Sequence, residues 1–275
     1  MALLLKRIYK GSFWLLNDLS DERTKNTWLA SPTTVVAILG IYLSIVLHLG
    51  PKLMAHRKPY NLRTLMIVYN LVQIYLNLKL VYDALIHFLG DQNFNLLCWP
   101  VDTSKTPRAM KTTEIVSYFF ILKMIDLLDT VIFVLRKSYK QISFLHLYHH
   151  AGMIMATWIT YRYLPGGHSV FVGLVNCPVH AIMFAYYLGT IIDNKWGRSV
   201  IFKRSLTQLQ LAQFTFFVFV YGAVVLNPAC TFPKIPTYLF LCQNIFITLL
   251  FADFYRKTYV GQKYDNKLKL EKESR

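Results

Sequence analysis

Three imidazoles stand within five residues, at His146, His149 and His150. Offsets of three and four place them on one face of a helix. A neutral imidazole can attack a carbonyl, relay a proton or bind a metal. A lone buried histidine is usually a hydrogen-bonded packing residue. Three together in an apolar stretch argue for chemistry, because ionisable groups are expensive to keep there.

Three further polar sets sit in apolar surroundings. Lys123, Asp126, Asp129 and Thr130 recur at offsets of three, six and seven, so they share a helical face, and Lys123 can pair with Asp126. Such carboxylates serve equally as a structural ion-pair cluster or directly in catalysis. Asn176, His180, Met183 and Tyr187 fall at offsets of four, seven and eleven. Thr207, Gln210 and Gln213 are spaced by three; amides at that spacing bind substrate or glue helices together. Asn70, Gln73 and Asn77 repeat the pattern more weakly, and Lys79 with Asp83 reads as an i,i+4 ion pair.

The elements that must hold these groups are membrane helices. Of 275 residues, 55% are hydrophobic and 16% charged, with mean hydropathy +0.36, too little charge to cover a soluble surface. Apolar runs at 32–50, 62–88, 113–135, 142–161, 169–192, 205–227 and 236–255 each approach the ~20 residues a helix needs to cross a bilayer. They are continuous rather than alternating, which excludes a β-barrel. The expectation is an all-α polytopic protein of seven spans forming a single membrane domain over 1–275. Residues 3–5 before Lys6 and Arg7 are too short for a signal-peptide core.

The net charge of +16 would suggest nucleic acid in a soluble chain, but the basic residues lie between apolar runs. They therefore read as topology signals and phosphate contacts, not a nucleic-acid surface. Lys52, Arg57, Lys58, Arg63, Arg136, Lys137, Lys140, Lys195, Arg198, Lys203, Arg204 and a tail from Arg256 to Arg275 fall on one side. Fewer lie on the other, among them Lys6, Arg7, Arg23, Arg108 and Arg162. The positive-inside rule puts the tail (256–275) in the cytosol and the N-terminal segment (1–31) across the membrane. Cys98 and Cys230 then share the oxidising side, where a disulfide between them is favoured over free thiols. Cys177 and Cys242 lie within spans as packing residues. By depth, the four polar sets converge toward the cytosolic half, with apolar length above them suited to an alkyl chain. Lys137, Lys140, Lys203 and Arg204, with Arg136, ring the mouth, where phosphates could be held.

In this order the sets resemble the very-long-chain fatty acid elongases, the condensing enzymes of microsomal elongation. That family's patterns K-x-x-E-x-x-D-T, H-x-x-H-H, N-x-x-x-H-x-x-M-Y-x-Y-Y and T-x-x-Q-x-x-Q are matched by Lys123–Thr130, His146–His150, Asn176–Tyr187 and Thr207–Gln213. Gly50-Pro51-Lys52 with Arg57, Lys58 and Pro59 is similar to its loop after the first span. Asp126 stands where the pattern has Glu, and Phe184 where it has Tyr. The resemblance implies residence in the endoplasmic reticulum membrane and seven spans, the last six around an acyl tunnel. It implies condensation of acyl-CoA with malonyl-CoA to 3-ketoacyl-CoA, without cofactor or metal. It leaves open a homodimer and contact with the other enzymes of the elongation cycle.

On that reading His149 attacks the thioester to form an acyl-imidazole. His180 steadies the second substrate's enolate, with Asn176 as donor, and His146 and His150 set the tautomer or move protons. Asp126 and Asp129 orient Lys123 or an imidazole. Thr207, Gln210, Gln213, Met183, Tyr186 and Tyr187 line the substrate. A di-iron oxygenase needs more than one histidine box, and His48, His56, His87 and His168 are scattered. A seven-span receptor lacks its usual short motifs here, and a transporter its broken helices and repeats.

Overall fold

The computed structural model describes residues 6–7, 10–11, 13–89, 91 and 94–261, so the basic tail beyond 261 lies outside the described residues. The described residues are helical, with no strand among them. The chain divides into two compact units, Met1–Leu62 with Lys79–Leu174, and Arg63–Leu78 with Val175–Arg275.

In the first unit, α1 (Pro32–Met54) runs past the expected end at residue 50. Gly50-Pro51 does not stop it. Pro51 has no N–H to return to the preceding turn, and a wider π-helical turn at Ile45–Leu49 absorbs that loss just before it. Gly50 is needed for a close approach instead. A Cβ there would lie 2.6 Å from the Ile45 carbonyl oxygen and 2.6 Å from Val134 Cγ1. Gly50→Ala is therefore expected to destabilise the protein by about 1–3 kcal/mol, the usual cost of overpacking, read as a lower unfolding midpoint in detergent.

The expected run 113–135 starts earlier and is broken. Thr106 caps α3 (Pro107–Asp126), accepting from the Ala109 N–H at 3.3 Å, with Pro107 in the first turn. At Leu127 the hydrogen bonding tightens: Leu127 N–H reaches the Met124 oxygen at 3.3 Å, and Thr130 N–H the Leu127 oxygen at 3.2 Å. α4 (Leu128–Leu135) then ends in a two-bond cap, Lys137 N–H to Val134 O (3.0 Å) and Ser138 N–H to Phe133 O (2.8 Å). Lys137 holds the left-handed position of that cap at φ 55°, where glycine is usual. Ser143 caps α5 (Phe144–Tyr163), its Oγ accepting from His146 N–H at 3.2 Å. α1 and α3 both pack on α5, and the end of α1 packs on α4.

Residues 20–30 close the far end of α5. The Arg162 carbonyl accepts from Asp21 N–H (2.9 Å) and Thr24 Oγ1 (3.2 Å), while Arg162 Nη1 and Trp158 Nε1 donate to the Ala30 oxygen. These contacts satisfy groups at a helix terminus that otherwise lack partners. Arg23 pairs with Asp21 at 2.8 Å and reaches the Ala109 carbonyl at the start of α3.

The second unit takes residues 63–78 of α2 (Arg63–Phe88), residue 175 onward of α6 (Val170–Ile192), α7 (Val200–Leu226) and α8 (Lys234–Tyr255), with α7 packed along α8. Ser199 caps α7, accepting from Phe202 N–H. Pro178 stands inside α6, where it has no N–H to return to the Leu174 carbonyl one turn earlier.

Among the described residues five helices are long and apolar enough to cross a membrane: Pro32–Met54, Arg63–Phe88, Gly167–Ile192, Val200–Leu226 and Lys234–Gly261. Seven were expected. The two runs that fall short, α3–α4 and α5, carry Lys123, Asp126, Asp129 and the three histidines. Large apolar side chains stand exposed along the others, such as Ile201, Leu226 and Ile235, as lipid-facing helices require.

Within each unit, loops that charge counting assigned to one side meet. Tyr60 N–H bonds the Leu135 oxygen at 3.1 Å and Lys137 Nζ the Ala55 oxygen at 3.2 Å. Arg204 Nε bonds the Tyr255 hydroxyl at 2.8 Å. At the opposite ends lie the 20–30 segment in one unit and Lys234, bonded to the carbonyls of Val224 and Asn227, in the other.

Candidate active site

The histidine triplet occupies the first two turns of α5, held there by the Ser143 cap. All three rings are half-buried. His146 and His150 lie face to face in part, with ring centroids 4.2 Å apart and planes at 46°. His149 meets His150 edge-on at 6.0 Å. Thr130 Oγ1 lies 2.7 Å from His146 Nε2, and Phe133 packs on the same ring at 5.5 Å. The break at Leu127 aims α4 so that Thr130 reaches the triplet.

One turn before the break, Lys123 Nζ donates to Asp126 Oδ2 at 2.8 Å, with side-chain exposures of 2% and 4%. The ammonium also sits over the Phe119 ring, 5.1 Å from its centroid. Thr130 is fully buried, whereas Asp129 is only half-buried. The Lys79–Asp83 pair expected from spacing is formed.

In the second unit, Gln210 Nε2 donates to Met183 Sδ at 3.7 Å, tying α7 to α6. Phe184, fully buried, takes His180 edge-on at 5.9 Å, Tyr187 at 6.1 Å and Tyr69 of α2 at 5.9 Å. Tyr186 and Tyr187 are in contact at 5.9 Å. Thr207 is buried and turns its hydroxyl to the Lys203 carbonyl at 3.0 Å. Asn176, Asn77 and Gln213 are buried, and their amide oxygens have no hydrogen-bond partner among the described residues. Leaving such an acceptor unmatched costs about 1–3 kcal/mol.

Of the basic residues expected to meet phosphate, Lys140 and Lys203 are exposed. Lys137 donates to the Ala55 carbonyl with one of its three N–H groups, and Arg204 is held by Tyr255, whose ring its guanidinium covers at 5.8 Å. Cys98 and Cys230 are each disulfide-bonded, and Cys177 (buried) and Cys242 (exposed) are free.

Sequence reasoning missed Ser143, Phe133, Tyr69 and Tyr42, whose hydroxyl lies 3.0 Å from Thr130 Oγ1. Ser143 stands three residues before His146, a spacing that signals a helix start. Tyr42 and Tyr69 carry no such signal, being single tyrosines in apolar runs.

Residues 27–267 match the ELO family, described as the GNS1/SUR4 family. The chain is 36% identical over 258 residues to very long chain fatty acid elongase 7 of Drosophila melanogaster, covering 93% of this chain and 78% of that one. It is 35% identical over 251 residues to very long chain fatty acid elongase 4 of Homo sapiens, covering 90% and 78%. A very long chain fatty acid elongase of Aedes aegypti matches at 34% over 265 residues, covering 96% and 73%. With the family match spanning nearly all of the described residues, the chain belongs to the ELO family.

Proposed function

We propose that this protein condenses a long-chain acyl-CoA with malonyl-CoA, giving 3-ketoacyl-CoA, CO2 and CoA. The observation that carries the reading is the capped histidine triplet, with His146 Nε2 tied to Thr130 beside the buried Lys123–Asp126 pair. His149 attacks the thioester carbonyl, the C–S bond breaks, and CoA leaves as its thiol, its proton coming from the imidazole by way of His150. Malonyl-CoA loses CO2, its enolate carbon attacks the acyl carbonyl, the C–N bond to His149 breaks, and the departing imidazole nitrogen takes up a proton from solvent by way of His150. His180 steadies the enolate oxygen. The unmatched oxygens of Asn176, Asn77 and Gln213 suit the amide N–H groups of a pantetheine arm, and Lys137, Lys140, Lys203 and Arg204 suit its phosphates.

The protein works as a seven-span protein of the endoplasmic reticulum membrane with its C-terminus cytosolic. The loops that meet within each unit support that sidedness. The test is turnover by purified protein of malonyl-CoA with a panel of long acyl-CoAs, read by mass spectrometry. A 3-ketoacyl-CoA two carbons longer than the substrate is expected, and CoA release from acyl-CoA alone marks the covalent step. Absence of any ketoacyl product from folded protein would overturn the assignment.

Cys98 and Cys230 pair with each other across the non-cytosolic loops. Before reduction, maleimide is expected to label Cys242 alone, and after unfolding and reduction all four cysteines. Labelling of Cys98 or Cys230 in the native, unreduced protein would exclude the bridge.

A further inference from the structure

We infer that Tyr42, on the first span, is a positioning residue that fixes the tautomer of His146 through Thr130; this rests on the condensation reading above. Tyr42 is 4% exposed, and Thr130 is fully buried. The Tyr42 hydroxyl lies 3.0 Å from Thr130 Oγ1, and Thr130 Oγ1 lies 2.7 Å from His146 Nε2. Each hydroxyl has one proton to give, and the direction of the chain follows from where those protons can go. Thr130 is the one hydrogen-bond partner of the Tyr42 hydroxyl among the described residues. A buried phenol proton with no acceptor is costly, so Tyr42 donates to Thr130. Thr130 Oγ1 has Tyr42 and His146 as its side-chain partners among the described residues, so its own buried proton, which Tyr42 does not accept, goes to His146. Nε2 of His146 therefore accepts, and its proton sits on Nδ1.

Two consequences follow. The Nε2 lone pair of His146 is committed to Thr130, so His146 does not act as the nucleophile through that atom. Its ring is also held in one orientation, 4.2 Å from that of His150, which fixes the face His150 presents to His149. The relay reaches from α1 through α4 to α5. It ties the first span to the chemistry of a site otherwise built on later helices.

The test compares Tyr42→Phe, Thr130→Val, Thr130→Ser and the double variant Tyr42→Phe/Thr130→Val. Tyr42→Phe keeps the ring and removes only the hydroxyl. It is expected to lower kcat about 3- to 10-fold, the size of one neutral hydrogen bond, with KM unchanged and the unfolding midpoint nearly so. Thr130→Val is expected to lower kcat at least as far, and Thr130→Ser to restore most of it. The double variant should match Thr130→Val alone, because Tyr42 acts only through that hydroxyl. Full kcat in Tyr42→Phe, or a double variant in which the two losses multiply, overturns the proposal.

Nitrogen-15 NMR of histidine-labelled protein in detergent reads the tautomer directly, independently of any activity, with the His146 signal assigned by its loss in His146→Gln. Protonated Nδ1 is expected in the parent, and a mixture of tautomers in Tyr42→Phe. Protonated Nε2 in the parent sinks the relay even if condensation is observed. Absence of ketoacyl product with Nδ1 protonated sinks the condensation reading and leaves the relay standing.

Discussion

His149→Ala is expected to abolish the proposed condensation, lowering turnover by about three orders of magnitude or more, and to remove the proposed acyl adduct together with the early release of CoA. The expectation follows from the roles proposed above for the three imidazoles. His146 Nε2 is already bonded to Thr130 at 2.7 Å. His150 lies beside His146 with ring centroids 4.2 Å apart and meets His149 at 6.0 Å with the planes at 80°. His149, the proposed nucleophile, has His150 beside it at 6.0 Å to move a proton. A positioning histidine costs less when lost, so His146→Ala is expected to lower turnover about 10- to 100-fold while the adduct still forms slowly. The measurement is a single mixing of each variant with acyl-CoA alone, reading free CoA and intact protein mass. An adduct that survives in His149→Ala would move the nucleophile elsewhere on the triplet.

Much of this was legible in the sequence because periodicity reports local geometry. Offsets of three and four located the histidine face, and the apolar runs located the helices that carry it. The N-terminal caps at Thr106-Pro107 and Ser143 went unread, so the run expected from residue 113 starts six residues earlier. Features that depend on contact between distant residues left no periodic trace. Gly50-Pro51 reads as a helix stop, yet it lets α1 continue, because Val134 needs the space that a side chain at Gly50 would fill. The run 113–135 has no glycine or proline near Leu127, so nothing in its composition marks the break. Only the tight bonds from Leu127 and Thr130 reveal it. The segment 20–30 carries almost no pattern at all. Its place on α5 comes from carbonyls and an arginine at a helix end, groups that every helix possesses.

The Lys123–Asp126 pair separates the two roles that spacing alone left level. Both side chains are almost fully buried, so Asp126→Ala strands a buried ammonium without the carboxylate it donates to, and stability is expected to fall by about 3–5 kcal/mol. Asp126→Asn keeps the volume and loses the charge, and should fall less far. Lys123→Met with Asp126→Leu removes both charges and fills the same space. An apolar pair of that size is neutral or stabilising in comparable settings, so the unfolding midpoint is expected to return to the parent value. Turnover is not expected to return with it. The pair sits on the turn that precedes the Leu127 break, directly before the residues that deliver Thr130 to His146, and its charge lies within reach of the site's chemistry. A double variant that is fully stable and at least about 10-fold slow assigns the pair to the reaction. One that recovers both stability and turnover assigns it to packing alone, and the chemistry of α3–α4 then rests on Thr130.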